Sequence, residues 1–340
     1  MSNVAKASFE KADLAVTGER PVARKLIVDN DCGVDDAWGI SLILKSTVGH
    51  QLLALTCVKG NTDVENVCNN NLYLLTVLGK KEIPVYKGAN RSLLHMTSEE
   101  LSDDLKYFHG RNGFGDVQLP CLADKPQVQK ENAVVALNRL TSENKGEITL
   151  VCLAPLTNIA LAIRTYPDFV DNVKDVFIMG GNYQGVGNTT SCAEFNFHAD
   201  PEAANIVLRE MQNKIYLLPW ETCMGAKIPF EWRERLLTDC GPVFQFLNKI
   251  ELPILERLKN LGYKTYISAD QLLCAILINP NIVQYAFKAY ALVELAGVFT
   301  RGQVILDHMQ SKPKQSEFLT VISEVDSIEY FNIINSMKNV

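Results

Sequence analysis

From Lys25 onward, short apolar runs rich in β-branched residues alternate with longer segments of helical period. This alternation is typical of repeated βα units around a mostly parallel sheet, and consecutive apolar positions indicate strands covered on both faces. The sequence therefore predicts an α/β fold, a single domain with a mostly parallel central sheet flanked by helices. The predicted strands are Leu26–Asp29, Leu52–Val58, Ile83–Tyr86, Ile148–Leu153, Val173–Met179 and Ile215–Pro219, with later ones near Tyr290–Leu295 and Val304–Asp307. The predicted helices are Ala37–Lys45, Asn66–Leu78, Asn132–Thr141, Pro201–Met211, Val243–Leu258 and Asp270–Ile278.

Two regions are expected along the chain. Residues 1–24 are polar, lack a sustained period and end at the Arg20-Pro21 break, which predicts a weakly ordered lead-in. The remainder, 25–340, has no internal repeat and no low-complexity linker, so one domain is the better interpretation of its length.

Composition argues against several classes of partner. With 39 acidic and 33 basic residues the formal charge is −6, so nucleic acid is not expected to bind. No stretch approaches the roughly 20 apolar residues of a membrane span, and the first residues contain no uninterrupted apolar signal. The nine scattered cysteines form no CxxC pair, which indicates reduced thiols. A soluble protein of the cytoplasm is therefore expected.

An acidic loop follows the first predicted strand. It reads Asp29-Asn30-Asp31-Cys32-Gly33-Val34-Asp35-Asp36, which places four carboxylates within eight residues at the start of a helix. A single Asp there would be an ordinary helix cap, but four carboxylates repel one another unless something offsets their charge. A hard divalent cation, Ca²⁺ or Mg²⁺, is the simplest candidate.

The segment from Val28 to Ala37 resembles the Asp-rich amino-terminal fingerprint of the inosine-uridine preferring nucleoside hydrolases. Further segments resemble that family in the same order, and together they span about Lys25 to Asp307. They are Gly60-Asn61-Thr62, His109-Gly110-Arg111-Asn112-Gly113-Phe114-Gly115, Leu153-Ala154-Pro155-Leu156-Thr157-Asn158, Met179-Gly180-Gly181 with Gly187-Asn188, Ala193-Glu194-Phe195-Asn196 with Asp200-Pro201-Glu202-Ala203-Ala204, and Ser268-Ala269-Asp270-Gln271.

The resemblance implies a nucleoside hydrolase-like fold and a calcium-dependent enzyme that cuts the N-glycosidic bond of ribonucleosides, with purine nucleosides slightly favoured. It implies a homodimer or homotetramer as well. Carboxylates and carboxamides are the groups that a site needs to read ribose hydroxyls. By resemblance, Asp31 is the general base and His109 a second catalytic residue. The calcium ligands would be Asp31, Asp36, the carbonyl of Leu153 and Asp270, and the substrate would contact Asp35, Asn61, Met179, Asn188, Glu194 and Asn196.

One departure from the family leaves the acid for the departing base open. Several relatives have a His immediately before the distal calcium ligand, whereas this chain has Ala269. The remaining candidates are His109, an aromatic residue such as Tyr263, Tyr266 or Trp220, and protonation from solvent. Two alternative functions also remain, namely a non-catalytic homologue that binds ribose or calcium and a phosphatase of the haloacid dehalogenase type, which shares an Asp-x-Asp after its first strand.

Overall fold

The computed structural model describes residues 22–94, 107–121, 124, 126–309 and 318–338. In these ranges the main sheet has eight strands in the order β3-β2-β1-β4-β5-β6-β12-β9. Every neighbouring pair is parallel except β9 and β12, which are antiparallel. The strands are β1 (Lys25–Asn30), β2 (Gln51–Cys57), β3 (Val85–Lys87), β4 (Ile148–Cys152), β5 (Val173–Met179), β6 (Ile215–Leu218), β7 (Ile228–Pro229), β8 (Thr265–Tyr266), β9 (Val283–Ala289), β10 (Ala291–Val293), β11 (Val304–Leu306) and β12 (Leu319–Val325).

Helices cover both faces of the sheet, which confirms the predicted architecture. The buried apolar residues form two layers, and successive residues of β1 alternate between them: Leu26 and Val28 face one layer and Ile27 the other. The helices are α1 (Val34–Lys45), α2 (Val64–Val77), α3 (Ala133–Glu143), α4 (Thr157–Thr165), α5 (Phe169–Asn172), α6 (Phe195–Ala199), α7 (Pro201–Met211), α8 (Trp220–Gly225), α9 (Phe230–Leu236), α10 (Pro242–Asn260), α11 (Ala269–Ile278) and α12 (Ser327–Ser336), with 3₁₀ turns at Gln212–Lys214 and Pro280–Ile282.

Two of the predicted strands do not belong to the main sheet. The segments near Tyr290–Leu295 and Val304–Asp307 do contain strands, but β10 and β11 pair only with each other in a separate antiparallel sheet. The main sheet is completed instead by β9 and β12, which were not predicted. The first six predicted strands all lie in the main sheet, and their ends differ from the observed ones by at most two residues.

The predicted lead-in falls largely on residues outside the described ranges, and its division from the rest of the chain stays a prediction. Its last residue, Arg24, lies 2.6 Å through its Nη1 from the Oδ2 atom of Asp175 on β5. Among the described residues, no helix combines the length and the apolar character that crossing a membrane requires.

Candidate functional site

Residues at or beyond the ends of β1, β2, β4, β5 and β6 line a cavity of about 370 Å³. Ligands in such sheets bind beyond the carboxyl ends of the strands, where loops carry polar groups without disturbing the core. Asp31 and Asp36 are buried and do not line the cavity. The other residues named from the sequence do line it: Asp35, Asn61, His109, Leu153, Met179, Asn188, Glu194, Asn196 and Asp270.

Three carboxylates converge beside this cavity. Asp35 and Asp36 lie in the first turn of α1, and Asp270 lies in the first turn of α11. These two helices pack together, and the three residues each offer an oxygen within 4.8 Å of the others. Burial raises the pKa of Asp36 and of Asp270 well above the ordinary value, and repulsion from neighbouring carboxylates raises it further. Residues far apart in the sequence therefore form one acidic cluster.

The carboxylate of Asp31 is fixed by Asn61, which lies in the loop between β2 and α2. The backbone N–H of Asn61 donates to Oδ2 of Asp31 at 2.7 Å, and the Asn61 side-chain amide donates to Oδ1 at 2.9 Å. A Cβ atom on Gly60 would lie 1.8 Å from Oδ2, so the carboxylate packs directly on the glycine backbone. Burial raises the pKa of Asp31 to about 7, while the Asn61 hydrogen bond lowers it.

Glu194 is held at the start of α6. Its carboxylate accepts hydrogen bonds from the backbone N–H groups of Asn196, Phe197 and Gly181, so the side chain has one orientation at the cavity wall. Burial raises the pKa of Glu194 to about 7, and these N–H groups oppose the rise. Gly181 is needed because its φ is +70° and because a Cβ there would lie 2.6 Å from Val304.

Two asparagines line the same wall. The amide group of Asn196 donates to the carbonyl oxygens of Leu153 and Met179, each at 3.1 Å, which joins the ends of β4 and β5. The side-chain carbonyl of Asn188 accepts a hydrogen bond from the backbone N–H of Phe195 at 2.8 Å. These hydrogen bonds leave the side-chain oxygen of Asn196 and the side-chain NH₂ group of Asn188 available to bind a ligand.

His109 contacts the start of α1. Its Nδ1 accepts a hydrogen bond from the backbone N–H of Val34 at 3.2 Å, and its Nε2 lies 3.4 Å from Oδ1 of Asp35. Burial lowers the pKa of His109, although the charge of Asp35 opposes that shift. The imidazole is therefore placed between the acidic loop and the cavity.

The remaining lining of the cavity, which we call the aromatic wall, is mostly aromatic and aliphatic. Trp220, Tyr263 and Tyr266, which the sequence suggested as candidates for the acid that protonates the departing base, all line the cavity, as does Ala269. Sequence reasoning missed further lining residues, because in the sequence they resemble ordinary helix or core positions. These are Phe108, Thr189, Phe195, Lys227, Leu258, Thr265 and Ile267.

The donor set of the acidic cluster fits a hard divalent cation. In the described part of the chain, Oδ1 of Asp36 is buried and accepts no hydrogen bond. Buried carboxylate oxygens without donors are costly unless they are protonated or bind a cation, and carboxylate and carbonyl oxygens are the ligands that Ca²⁺ takes. Asp35, Asp36 and Asp270 could therefore hold such an ion.

Comparison with known proteins gives a consistent result. The model of the inosine-uridine preferring nucleoside hydrolase family matches residues 26–332. The inosine-uridine preferring nucleoside hydrolase of Crithidia fasciculata is 32% identical over 86% of this chain and 90% of its own length. The pyrimidine-specific ribonucleoside hydrolase RihA of Shewanella woodyi is 30% identical over 92% and 97%. The match to uridine nucleosidase 1 of Arabidopsis thaliana, at 37% identity, covers 54% of this chain and only 52% of that protein.

Solved structures show the same fold. A plant nucleoside hydrolase superposes with a TM-score of 0.84 at 26% identity and covers 93% of this chain and 99% of its own. An inosine-guanosine nucleoside hydrolase superposes with a TM-score of 0.82 at 27% identity and the same coverage.

Proposed function

Because the chain belongs to the inosine-uridine preferring nucleoside hydrolase family and is therefore an N-glycosidase, we propose that it uses Ca²⁺ to hydrolyse ribonucleosides to free base and ribose. The observation that supports calcium binding is the acidic cluster of Asp35, Asp36 and Asp270. It lies beside a cavity that is lined by carboxylate and carboxamide groups.

Asp31 is the general base in this proposal. Glycosidic cleavage proceeds through a sugar with oxocarbenium character, so a water must lose a proton as it attacks. The Asp31 carboxylate is immobilised by both donors of Asn61, so it has a fixed position from which to accept that proton. The cation, when bound, acidifies a coordinated water and fixes its position.

The metal ligands in this proposal are Asp31, Asp36, Asp270 and the main-chain oxygen of Leu153. Asp31 lies outside the three-residue cluster but close enough for its charge to act on Asp36 and Asp270. Asp35 lies in the same acidic cluster and also lines the cavity, so it can contact the ribose. The Leu153 carbonyl needs no particular side chain, and the Asn196 amide already holds it at the cavity wall. The oxygens of Glu194 and Asn196 and the amide groups of Asn61 and Asn188 would complete the contacts to the sugar, with Met179 packing on it.

The aromatic wall would receive the base. Trp220, Tyr263 and Tyr266 offer ring surface on which a planar base can stack, and a two-ring base buries more of it. We therefore expect purine nucleosides to be cleaved slightly better than pyrimidine nucleosides. The relatives differ in this respect, since they include a pyrimidine-specific and an inosine-uridine preferring enzyme.

The decisive experiment is a reducing-sugar assay with inosine, adenosine, guanosine, uridine and cytidine, with and without a metal chelator. We expect ribose to form and the chelator to abolish its formation. Asp31→Asn should lower kcat by about 10³-fold, since it removes a base while keeping the shape of the side chain. The exposed Asp168→Asn is the matched control and should leave kcat unchanged.

Two results would contradict the proposal. Near-normal turnover by Asp31→Asn would show that Asp31 is not the general base. Tight binding of nucleosides without any turnover would favour the non-catalytic alternative, which Ala269 motivates. The phosphatase alternative finds no support in the family match. The cytoplasmic location and the homodimer or homotetramer stay predictions.

A further inference from the structure

We propose that His109 is a positioning residue that orients the carboxylate of Asp35, and that it is not the acid that protonates the departing base. The inference rests on the proposed hydrolysis and concerns the one catalytic side chain for which the sequence left the role open. Its evidence is the pair of contacts made by the two ring nitrogens.

The backbone fixes the tautomer of His109. Nδ1 accepts a hydrogen bond from the N–H of Val34, so this nitrogen carries no proton. The proton of the neutral imidazole must therefore be on Nε2, which lies 3.4 Å from Oδ1 of Asp35. This distance is long for a hydrogen bond, but contacts of this kind commonly tighten when substrate binds.

Asp35 needs such a donor. Among the described residues nothing else donates a hydrogen bond to its buried Oδ1, and the carboxylates of Asp36 and Asp270 lie close by. A donor on Oδ1 sets the rotation of the carboxylate and directs Oδ2 elsewhere. The side chain of Asp35 is 18% exposed and lines the cavity, so its free oxygen can meet a ligand.

The position of the imidazole is itself constrained. A Cβ atom on Gly33 would lie 3.1 Å from its Cγ, and the edge of Phe108 packs against the ring at a centroid distance of 5.0 Å. Arg257 on α10 donates to the Phe108 carbonyl at 2.8 Å, which anchors this loop. Rotation of the ring toward a base would break the bond from Val34, and the proton on Nε2 is already directed at Asp35.

Two substrates separate positioning from acid catalysis. A nucleoside base needs a proton as it leaves, whereas the phenolate of p-nitrophenyl β-D-riboside leaves without one. We expect His109→Ala to lower kcat/KM for inosine and for the p-nitrophenyl riboside by the same factor, about 10- to 100-fold. His109→Gln should recover at least part of both activities, because a carboxamide can donate to Asp35 but cannot act as an acid. The exposed His308→Ala is the control.

A double-mutant cycle distinguishes orientation of Asp35 from general support of the fold. In an Asp35→Asn background, His109→Ala should cost little further activity, because residues that act together are not additive. Loss of nucleoside cleavage with the p-nitrophenyl riboside rate unchanged would overturn the inference, and so would additive effects of the two substitutions. Wild-type protein that cleaves neither substrate would instead overturn the proposed function, and this inference with it.

Discussion

At the scale of single residues, the acidic loop depends on small neighbours as much as on its carboxylates. Gly60 leaves room for the Asp31 carboxylate, and Gly33 leaves room for Asn61 and His109. Cys32, between Asp31 and Gly33, adopts a φ of +38°, and its backbone carbonyl accepts a hydrogen bond from the Asn70 side-chain amide at 3.2 Å. Burial raises the pKa of the Cys32 thiol well above the ordinary value, so this cysteine acts through its backbone.

Replacing Gly60 by Ala should damage the site without unfolding the protein. A Cβ atom 1.8 Å from Oδ2 of Asp31 would displace the carboxylate, so we expect kcat for ribose release to fall about 100-fold or more. Gly225→Ala is the control, because a Cβ there meets no atom within 4 Å. Equal activity of the two variants would show that the position of Asp31 is not critical.

Part of the cavity lining could be predicted from the sequence, but the contacts of those residues could not. Asp31, Asn61 and Leu153 each lie at or just beyond the end of a predicted strand, and the ends of parallel strands meet at one edge of a sheet. The two hydrogen bonds from Asn61 to Asp31 depend on rotamers and on the register of β1 and β2, which no local pattern encodes.

At the scale of elements, the aromatic wall is held by a buried ion pair. Arg233 on α9 donates through Nε to Glu251 on α10 at 2.9 Å and to the hydroxyl of Tyr266 on β8 at 3.1 Å. Its guanidinium also lies over the ring of Trp38 on α1, 4.4 Å from the centroid. Because Tyr266 lines the cavity, this network connects the wall to the helix that carries Asp35 and Asp36.

Arg233→Leu should lower the free energy of unfolding by about 3–5 kcal/mol, since it leaves the Glu251 carboxylate buried without its partner. The double variant Arg233→Leu/Glu251→Leu should recover most of that loss. Urea denaturation measures both. Arg164→Ala, which breaks an ion pair whose side chains are 56% and 43% exposed, should cost less than about 1 kcal/mol. A similar small cost for Arg233→Leu would refute the structural role of the pair.

Sequence reasoning missed β9 and β12 for one physical reason. β9 ends at Ala289 and β10 begins at Ala291, so one apolar stretch supplies strands to two different sheets. β12 inserts between β6 and β9, although about 100 residues separate it from β6 in the sequence. Which sheet a short strand joins is decided by such distant pairing, whereas the six earlier strands follow the βα order that local periodicity reveals.

At the scale of the whole molecule, the fold brings carboxylates that are distant in the sequence into one cluster. Asp36 belongs to the first helix, Asp270 to α11, and the packing of these helices buries both side chains. Burial of several acids at one place opposes folding unless their charge is neutralised. The native state should therefore be stabilised by the cation that the cluster fits.

Calcium should raise the melting temperature. A ligand that binds only the native state at 100 times its Kd adds about 2.7 kcal/mol of stability, which corresponds to a shift of several degrees. Differential scanning calorimetry with excess Ca²⁺ or excess chelator measures the shift without reference to activity. We expect Asp270→Asn to abolish it and Asp168→Asn to retain it. An equal shift in Asp270→Asn would place the bound ion elsewhere.

The bonds made by Asn196 have a consequence for which sugars are accepted. Both amide protons are already given to the carbonyls of Leu153 and Met179, so this side chain presents only lone pairs to the cavity. In the proposed enzyme, the substrate atom facing Asn196 has to bring its own hydrogen. If the hydroxyl at that place were converted to an ether, two acceptor oxygens would face each other with no hydrogen between them. The site therefore requires a hydrogen-bond donor on the sugar at this position.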